Sequence, residues 1–448
     1  MVFFKIVEKN SFWYCFFRKW LSLIFRYSYC GNFYVRGRKN VPKAGTPVMF
    51  VSNHQNGVID ALSILFAMPI RYKVVFLARA DVFKKKLTAK ILNFCKIMPI
   101  YRQRDGRDNL GENAAIFDES AKLIDRGYPV ALFPEGQHQE GHYLGPVKKG
   151  FARIAFEAAE HNGFPDNMWI VPIGNHYEDY FMLRPQVCLS FGEPIRLSDY
   201  YEAYRENPPR AMADLAEEVQ RRIGGLMLDI PDREHYALYD SLRAVVRKPI
   251  CAKLKLKNYY FPDDLEADCY FAKRLRETPE GELAAVREKA EECRQGMARL
   301  KIGAREVSGR VSPLVLLLEF VALVLTFPVM LYGLCFTGLP VWLGRRQAKK
   351  MVARIKNPML QSSFDFVLNQ IIYTGAFYLV YIVLYWCFFD SALVFILLMA
   401  TWILSRMFWI DYFHYAAHVA RRCRALFHFR AVSRLRPAYE YLAAWATR

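Results

Sequence analysis

The chain has 448 residues, which exceeds one ordinary domain, so two or three structural parts are expected. It is 53% hydrophobic and 15% aromatic, yet it carries a formal net charge of +19. Such a charge fits either a nucleic-acid-binding protein or a protein that lies on anionic lipid. Because aromatic residues crowd both ends and the last third holds long apolar runs, we predict membrane lipids and no nucleic acid as partners.

The ten cysteines are scattered along the chain, with no Cys-x-x-Cys pair. Neither a metal site nor a disulfide framework is therefore expected, and the pattern fits reduced thiols that face a cytosol. At the N-terminus, charged residues interrupt the apolar ones, which is not the pattern of a signal peptide.

Residues 1–33 mix aromatic side chains with basic ones such as Arg18, Lys19 and Arg26. This composition predicts an amphipathic helix that lies in the membrane interface. The alternative is a helix that packs on the following domain, and both can hold.

Residues 34–235 alternate short apolar runs with helical patterns. The predicted strands are 34–38, 48–51, 74–78, 98–101, 130–133 and 169–173, and the predicted helices are 61–68, 84–94, 109–125 and 151–161. Alternation of this kind predicts an α/β domain with a mixed, largely parallel sheet and flanking helices. In such sheets, functional sites form beyond the carboxyl ends of the strands.

The run that ends the second predicted strand carries His54, and Asp60 follows at the expected start of a helix. A neutral imidazole can accept a proton from a hydroxyl near neutral pH, and a carboxylate on its other nitrogen fixes its tautomer. Six helical positions rotate by about 240°, so the two side chains can meet only if a loop separates them, and Asn56-Gly57 supplies one. The alternative is a strand-end His beside an Asp that caps a helix.

Three further strand ends carry polar or turn-forming residues. Arg102 follows the first and offers a bidentate fork suited to phosphate. Glu135-Gly136 follows the second and permits a close backbone approach, and the later helix start at Lys148–Gly150, with Lys149, can add an anion site. Val171-Pro172-Ile173 ends the third, before Gly174-Asn175-His176. Each of these features is weak alone, but their order along one sheet edge supports a single site.

These residues resemble, in order and spacing, the four motifs of the glycerolipid acyltransferases, which acylate glycerol-3-phosphate or lysophosphatidate. The resemblance covers roughly residues 30–200. It is carried by Asn53-His54…Asp60, Ile100-Tyr101-Arg102, Phe133-Pro134-Glu135-Gly136 and Val171-Pro172-Ile173.

The resemblance implies that His54 deprotonates the acceptor hydroxyl, which attacks an acyl thioester, while Asp60 orients His54. It implies further that the substrates are bound by Asn53, Arg102, Glu135, Gly136, Lys149 and Pro172. No covalent acyl-enzyme, metal or other cofactor is implied. The co-substrate is acyl-coenzyme A or acyl-carrier protein.

Two departures from the family pattern bear on the substrate. Five residues, not the usual four, separate His54 from Asp60, which resembles the branch of yeast-type glycerol-3-phosphate/dihydroxyacetone-phosphate acyltransferases and bacterial relatives. The Thr-Arg that often follows Phe-Pro-Glu-Gly is Gln137-His138 here. Glycerol-3-phosphate or dihydroxyacetone phosphate is therefore the favoured acceptor, and lysophosphatidate the alternative.

Residues 236–310 are charged and helical, as expected for a solvated helical region. Residues 311–448 form the predicted membrane region, with apolar segments at 314–343, 367–389 and 392–410. Basic runs follow the first and the last segment. Because both favour the cytoplasmic side, a re-entrant 314–343 is preferred over a full span.

We therefore expect an O-acyltransferase of phospholipid synthesis on the cytoplasmic face of a bacterial inner membrane, or of the endoplasmic reticulum in a eukaryote. A rival from another class is a non-catalytic lipid-binding membrane protein. It predicts the loss of His54, Asp60 or Glu135, and all three are present.

Overall fold

The computed structural model describes residues 11–100, 110–257 and 259–448, apart from the side chains of residues 110–115. The chain forms two compact units. The first comprises the N-terminal residues up to Arg26 together with Phe33–Tyr180 and Val187–Met227. The second comprises Tyr27–Asn32, Phe181–Gln186 and Leu228–Arg448. The predicted helical region 236–310 thus shares a unit with the C-terminal apolar helices.

A single sheet organises the first unit, in the order β1-β7-β6-β2-β5-β3-β4, with β8 paired to β6. The strands found among the described residues are β1 Asn32–Arg36, β2 Val48–Ser52, β3 Val75–Arg79, β4 Ile97–Ile100, β5 Val130–Leu132, β6 Trp169–Tyr177, β7 Gln186–Phe191 and β8 Ile195–Arg196.

The strand β2 lies at the centre of this sheet, parallel to both β5 and β6. The strand β3 is likewise parallel to β4 and β5, whereas β7 and β8 run antiparallel to β6. The predicted mixed, largely parallel α/β sheet is confirmed. The carboxyl ends of β2 to β6 consequently meet at one edge.

Side chains of β2 alternate between two cores, as the period of two in a strand requires. Met49 and Val51 pack in the cluster on one face, and Val48 and Phe50 in the cluster on the other. All four are at most 1% exposed. Burial on both faces explains why this strand reads as a continuous apolar run.

The first unit has seven α-helices among the described residues, and the four that follow β2, β3, β4 and β5 lie close to their predicted positions. The seven helices are α1 Phe12–Leu23, α2 Val58–Ala67, α3 Lys86–Phe94, α4 Leu110–Asp125, α5 Gly150–His161, α6 Tyr201–Glu206 and α7 Pro208–Gly224. The strands β7 and β8 were not predicted, and β6 continues four residues past its predicted end at residue 173. Its last residues, Asn175 and Tyr177, belong to the site described below.

The helix α1 is held by one buried guanidinium. Arg18 is 6% exposed and donates hydrogen bonds to the carbonyl oxygens of Leu65 at 3.0 Å, Met68 at 2.9 Å and Tyr72 at 3.0 Å. The opposite face of α1 exposes Phe12, Trp13, Phe16, Phe17, Trp20 and Leu23. A fixed helix with an outward aromatic face is the arrangement expected of an interfacial helix.

Replacing Arg18 with alanine is expected to destabilise the first unit by about 3 kcal/mol, because several buried carbonyl groups lose a charged donor. The thermal midpoint of the purified protein should fall by about 5 °C or more. Lys19→Ala, which removes the exposed neighbour of Arg18, is the matched control. Equal midpoints for the two variants would contradict the anchoring role.

The second unit is helical. Its helices among the described residues are α8 Tyr236–Lys253, α9 Phe261–Glu277, α10 Glu280–Leu300, α11 Ala304–Ser308, α12 Pro313–Ile355, α13 Gln361–Phe364, α14 Thr374–Phe388, α15 Ala392–Phe427, α16 Phe429–Arg434 and α17 Arg436–Thr447. The π-helical segment Asp365–Tyr373 also belongs to this unit, and a second one, Ile24–Tyr29, is divided equally between the two units. Within the described residues, three helical stretches are long and apolar enough to cross a membrane: Pro313–Ile355, Pro358–Phe388 and Ala392–Phe427.

The re-entrant hairpin preferred for 314–343 is wrong, because α12 is one continuous helix of 43 residues. Proline inside a helix removes a donor and usually breaks it. At Pro340, the carbonyl left without that donor is Phe336, and it accepts a hydrogen bond from the Tyr381 hydroxyl at 2.7 Å. A neighbouring helix thus replaces the missing bond, which the sequence pattern alone does not reveal.

Candidate active site

The carboxyl end of β2 is tied to β6 by a pair of asparagines. Asn53 Nδ2 donates to the carbonyl oxygen of Asn175 at 3.0 Å, and the Asn175 backbone N–H donates to Asn53 Oδ1 at 2.7 Å. Both residues are fully buried. Asn53 therefore fixes the point at which the chain leaves the sheet, immediately before His54.

His54 and Asp60 are in contact. His54 Nδ1 lies 2.9 Å from Asp60 Oδ2, and the loop predicted between them ends at Gly57, which has a positive φ of 53° and precedes α2. The two side chains differ in burial: His54 is 18% exposed, whereas Asp60 is fully buried. The carboxylate thus stays in the interior, and the imidazole it holds faces outward.

Asp60 also accepts hydrogen bonds from groups other than His54. The backbone N–H groups of Gln55 and Asn56 donate to Oδ2 at 2.9 and 2.8 Å, and the Tyr177 hydroxyl donates to Oδ1 at 2.6 Å. These donors compensate the burial of a charge. With Nδ1 of His54 bound to the carboxylate, Nε2 is the nitrogen left to accept a proton.

Glu135 holds the same loop through hydrogen bonds to backbone N–H groups. Its Oε1 accepts the backbone N–H of His54 at 2.6 Å, and its Oε2 accepts the backbone N–H of Gly145 at 2.8 Å. The residue is 2% exposed, and burial raises the pKa of its carboxyl to about 7, against the opposing effect of the two backbone donors. The Glu135 carboxylate therefore positions His54 directly, in addition to the substrate contact predicted for it.

The remaining predicted site residues lie at different distances from this centre. Gly136 has a φ of +70°, and a Cβ placed on it would lie 3.0 Å from the Lys148 Nζ, so Lys148 borders the Phe-Pro-Glu-Gly turn. Lys149 instead donates to the Pro209 carbonyl oxygen at 3.3 Å. Pro172 is buried inside β6, in register with Val51. Arg102 lies outside the described residues.

Sequence reasoning missed three residues of this region. Tyr177 was missed because β6 runs further than predicted. His138, which occupies part of the departure from the family motif, has its ring centroid 4.2 Å from that of His54, and burial lowers its pKa to about 4. Arg79 ends β3 on the same sheet edge and pairs with Asp81. Its position directly after a predicted strand was an available signal.

Replacing Tyr177 with phenylalanine removes one donor to Asp60 without changing the volume much. We expect the turnover number of whatever reaction His54 supports to fall about tenfold, because a less restrained carboxylate orients the imidazole less well, while the substrate KM changes little. The control is Tyr201→Phe, which removes a hydroxyl that donates a hydrogen bond to the Pro165 carbonyl oxygen. A change in KM with an unaltered turnover number would instead place Tyr177 in substrate binding.

Comparison with known proteins agrees with this geometry. Residues 32–175 match the family model described as Acyltransferase. This stretch, about a third of the chain, is thus similar to the acyltransferase family.

The chain is also similar to two proteins named as acyltransferases. A chloroplastic 1-acyl-sn-glycerol-3-phosphate acyltransferase of Brassica napus is 30% identical over 31% of this chain and 36% of its own length. Glycerol-3-phosphate O-acyltransferase 2 of Saccharomyces cerevisiae is 24% identical over 50% of this chain and 29% of its own length. This chain thus spans about a third of the length of these relatives.

A solved structure is also similar, that of the 1-acyl-sn-glycerophosphate acyltransferase PlsC from Thermotoga maritima. It is 18% identical, covers 49% of this chain and 79% of its own, and has a TM-score of 0.30. Because this score is low, the fold class is assigned from the sheet topology of this chain and not from the similarity.

Proposed function

We propose that this protein transfers a fatty acyl group from an acyl thioester to a hydroxyl of glycerol-3-phosphate or dihydroxyacetone phosphate, at a membrane surface, in phospholipid synthesis. The observation that carries the proposal is the outward imidazole of His54 bound through Nδ1 to the buried carboxylate of Asp60. This is the arrangement of a general base with its orienting partner.

The reaction follows from that geometry. His54 Nε2 takes the proton of the acceptor hydroxyl as its oxygen attacks the thioester carbonyl carbon. The new C–O bond forms, the C–S bond breaks, and the imidazolium returns its proton to the departing thiolate. Asp60 stabilises the imidazolium between these steps. No acyl-enzyme is required, and the donor, acyl-coenzyme A or acyl-carrier protein, is the co-substrate.

The phosphate of the acceptor would be held by basic residues along the carboxyl edge of the sheet. Arg79 ends β3, and Lys148 lies against the turn at Gly136. Arg102 is the second residue after β4 in the sequence. Guanidinium and ammonium groups are the usual phosphate partners. In many members of the family an Arg follows Phe-Pro-Glu-Gly in a Thr-Arg pair, and here that pair is replaced by Gln137-His138. The basic residues named above would supply the missing positive charge.

Lysophosphatidate is the second candidate acceptor. It is favoured by the name of the Brassica napus relative, whereas the longer match, over 229 residues, is to the yeast glycerol-3-phosphate O-acyltransferase. The five-residue spacing between His54 and Asp60 also favours the glycerol-3-phosphate branch. Exposed apolar surface on α1 and on the C-terminal helices supports a membrane location, and the basic flanks of those helices support its cytoplasmic face.

The test is a panel of acceptors. The detergent-solubilised protein would be given labelled palmitoyl-coenzyme A or palmitoyl-carrier protein with glycerol-3-phosphate, dihydroxyacetone phosphate or lysophosphatidate in parallel. Turnover of one of the first two is the expected result. Preference for lysophosphatidate would select the second candidate, and no turnover with any donor–acceptor pair would contradict the proposed function.

A further inference from the structure

The helices before α12 and after α15 share one hydrophobic core. Trp445 of α17 is 1% exposed and lies 6.2 Å from Phe271 of α9, measured between ring centroids, and Leu442 is buried in the same cluster. In the last turn of α15, Arg424 Nε donates to the Lys301 carbonyl oxygen at 2.9 Å. A folded helical core lies on one side of a bilayer, so the chain must cross the bilayer an even number of times between residues 310 and 428.

Three candidate spans in series would cross an odd number of times, so one of them does not cross. The helices α12 and α15 run antiparallel in contact: Glu319 pairs with Arg422, and a Cβ on Gly333 would lie 2.4 Å from the Ser405 carbonyl oxygen. The first half of α12 therefore lies beside the second half of α15.

That second half of α15 is charged. It carries Asp411, His414, His418, Arg421, Arg422 and Arg424. One charge at the centre of a bilayer costs about 3 kcal/mol or more, so this half of α15 cannot occupy the hydrocarbon core. The first half of α12 lies beside it, so it is held at the same depth relative to the bilayer, outside the hydrocarbon core.

The far end of α12 and the second half of α15 also contact a segment outside the membrane helices, Phe181–Gln186. Arg345 donates to the Phe181 carbonyl oxygen at 2.6 Å, and Arg184 pairs with Asp411 at 2.9 Å. The segment Phe181–Gln186 connects β6 to β7. Among the described residues, each helix long and apolar enough to cross begins at or after Pro313, so this segment and the helical core lie on the same side.

We infer that α12 lies along one face of the bilayer and that only a hairpin made of α14 and the first half of α15 enters the lipid. At the base of the hairpin, Arg406 is 3% exposed and donates to Asn369 Oδ1 and to Ser28 Oγ, both at 3.1 Å. Such a buried polar contact belongs at the level of the head groups.

The length of the hairpin fits this assignment. Residues 374–388 of α14 rise about 22 Å at 1.5 Å per residue, and the π-helical residues 369–373 before them extend the hairpin toward the hydrocarbon thickness of about 30 Å. The turn at Asp390 therefore reaches the opposite interface. Side chains that point away from the protein along the hairpin are apolar: Leu379, Val383, Phe388, Leu393 and Ile396. Basic residues near the end of α12 match anionic head groups: Arg346, Lys349, Lys350, Arg354 and Lys356.

The test is the sidedness of three protease sites in the full-length protein, in sealed bacterial membrane vesicles of each orientation. A specific cleavage site would be placed before Met1, between Lys356 and Asn357, or after Arg448. We expect all three to be cut from the same face. Three full spans predict instead that the second and third sites are cut from the face opposite the first, and that result would overturn the inference.

A second measurement tests the hairpin without relying on insertions. Asp390→Cys, in the chain with its native cysteines retained, should add labelling by a membrane-impermeant maleimide from the face opposite the protease sites. The unsubstituted protein is the control for that face. Labelling of the new cysteine from the protease-site face, or from neither face, would contradict a hairpin that reaches across. Neither measurement depends on the acyl acceptor, so failure here leaves the proposed activity standing.

Discussion

Replacing His54 with alanine is expected to lower acyl transfer by about 10³-fold or more, because a positioned general base contributes on the order of 10²–10⁴. Without it, the acceptor hydroxyl must lose its proton to water as it attacks. His54 Nδ1 lies 2.9 Å from the buried Asp60 carboxylate, so the substitution removes the imidazole that this carboxylate orients. The measurement is the turnover number with the acceptor identified by the panel.

The control for this variant is His161→Ala, which removes an exposed imidazole on α5 of the same unit. It should leave turnover within about twofold of the unsubstituted protein. Retention of more than a tenth of the activity in His54→Ala would remove His54 as the base. The fold should survive the substitution, since the N–H that Glu135 accepts belongs to the backbone of residue 54.

Replacing Asp60 with asparagine is expected to lower turnover by about 10³-fold while leaving the shape of the site nearly unchanged. The amide NH₂ would donate to Nδ1, which moves the ring proton to Nε2, and a protonated Nε2 cannot act as the base. The variant also lacks the negative charge that stabilises the imidazolium. Turnover number and KM should be measured together, and only the turnover number should fall.

Loss of folding is the competing explanation for Asp60→Asn, because Asp60 accepts hydrogen bonds from two backbone N–H groups and from Tyr177. The matched control is Asp118→Asn, which alters an exposed carboxylate on α4. If Asp60→Asn keeps a thermal midpoint close to that of the control and is still inactive, the loss belongs to the chemistry. Full activity in Asp60→Asn would exclude the orienting role.

Much of the site was predictable because its elements are local in sequence. The strand 48–51 is a continuous apolar run, His54 and Asp60 are six positions apart, and Asn56-Gly57 marks the turn that lets them meet. The contact at 2.9 Å confirms that spatial prediction. The catalytic and binding roles assigned to these residues stay predictions.

Residues that reach the site from elsewhere in the chain were not predictable. Tyr177 lies 117 positions beyond Asp60 in sequence, and no periodic pattern indicates that its hydroxyl meets that carboxylate. Glu135 was assigned by its motif to the substrate, whereas its two oxygens accept the backbone N–H groups of His54 and Gly145. A motif identifies a residue type at a position, but the direction of its side chain depends on which strands are neighbours.

The amino-acid sequence by itself determined the α/β class, the order of β1 to β6 and of the helices between them, the His54–Asp60 pair and three apolar segments, because each depends on local periodicity, turn residues or run length. Only the tertiary structure decided that α12 continues through Pro340, because the freed Phe336 carbonyl accepts a hydrogen bond from the Tyr381 hydroxyl, which is 45 positions away in sequence. It also decided that the chain before α12 and after α15 shares a core. Hydropathy measures how apolar a segment is, whereas the number of crossings depends on which segments pack together.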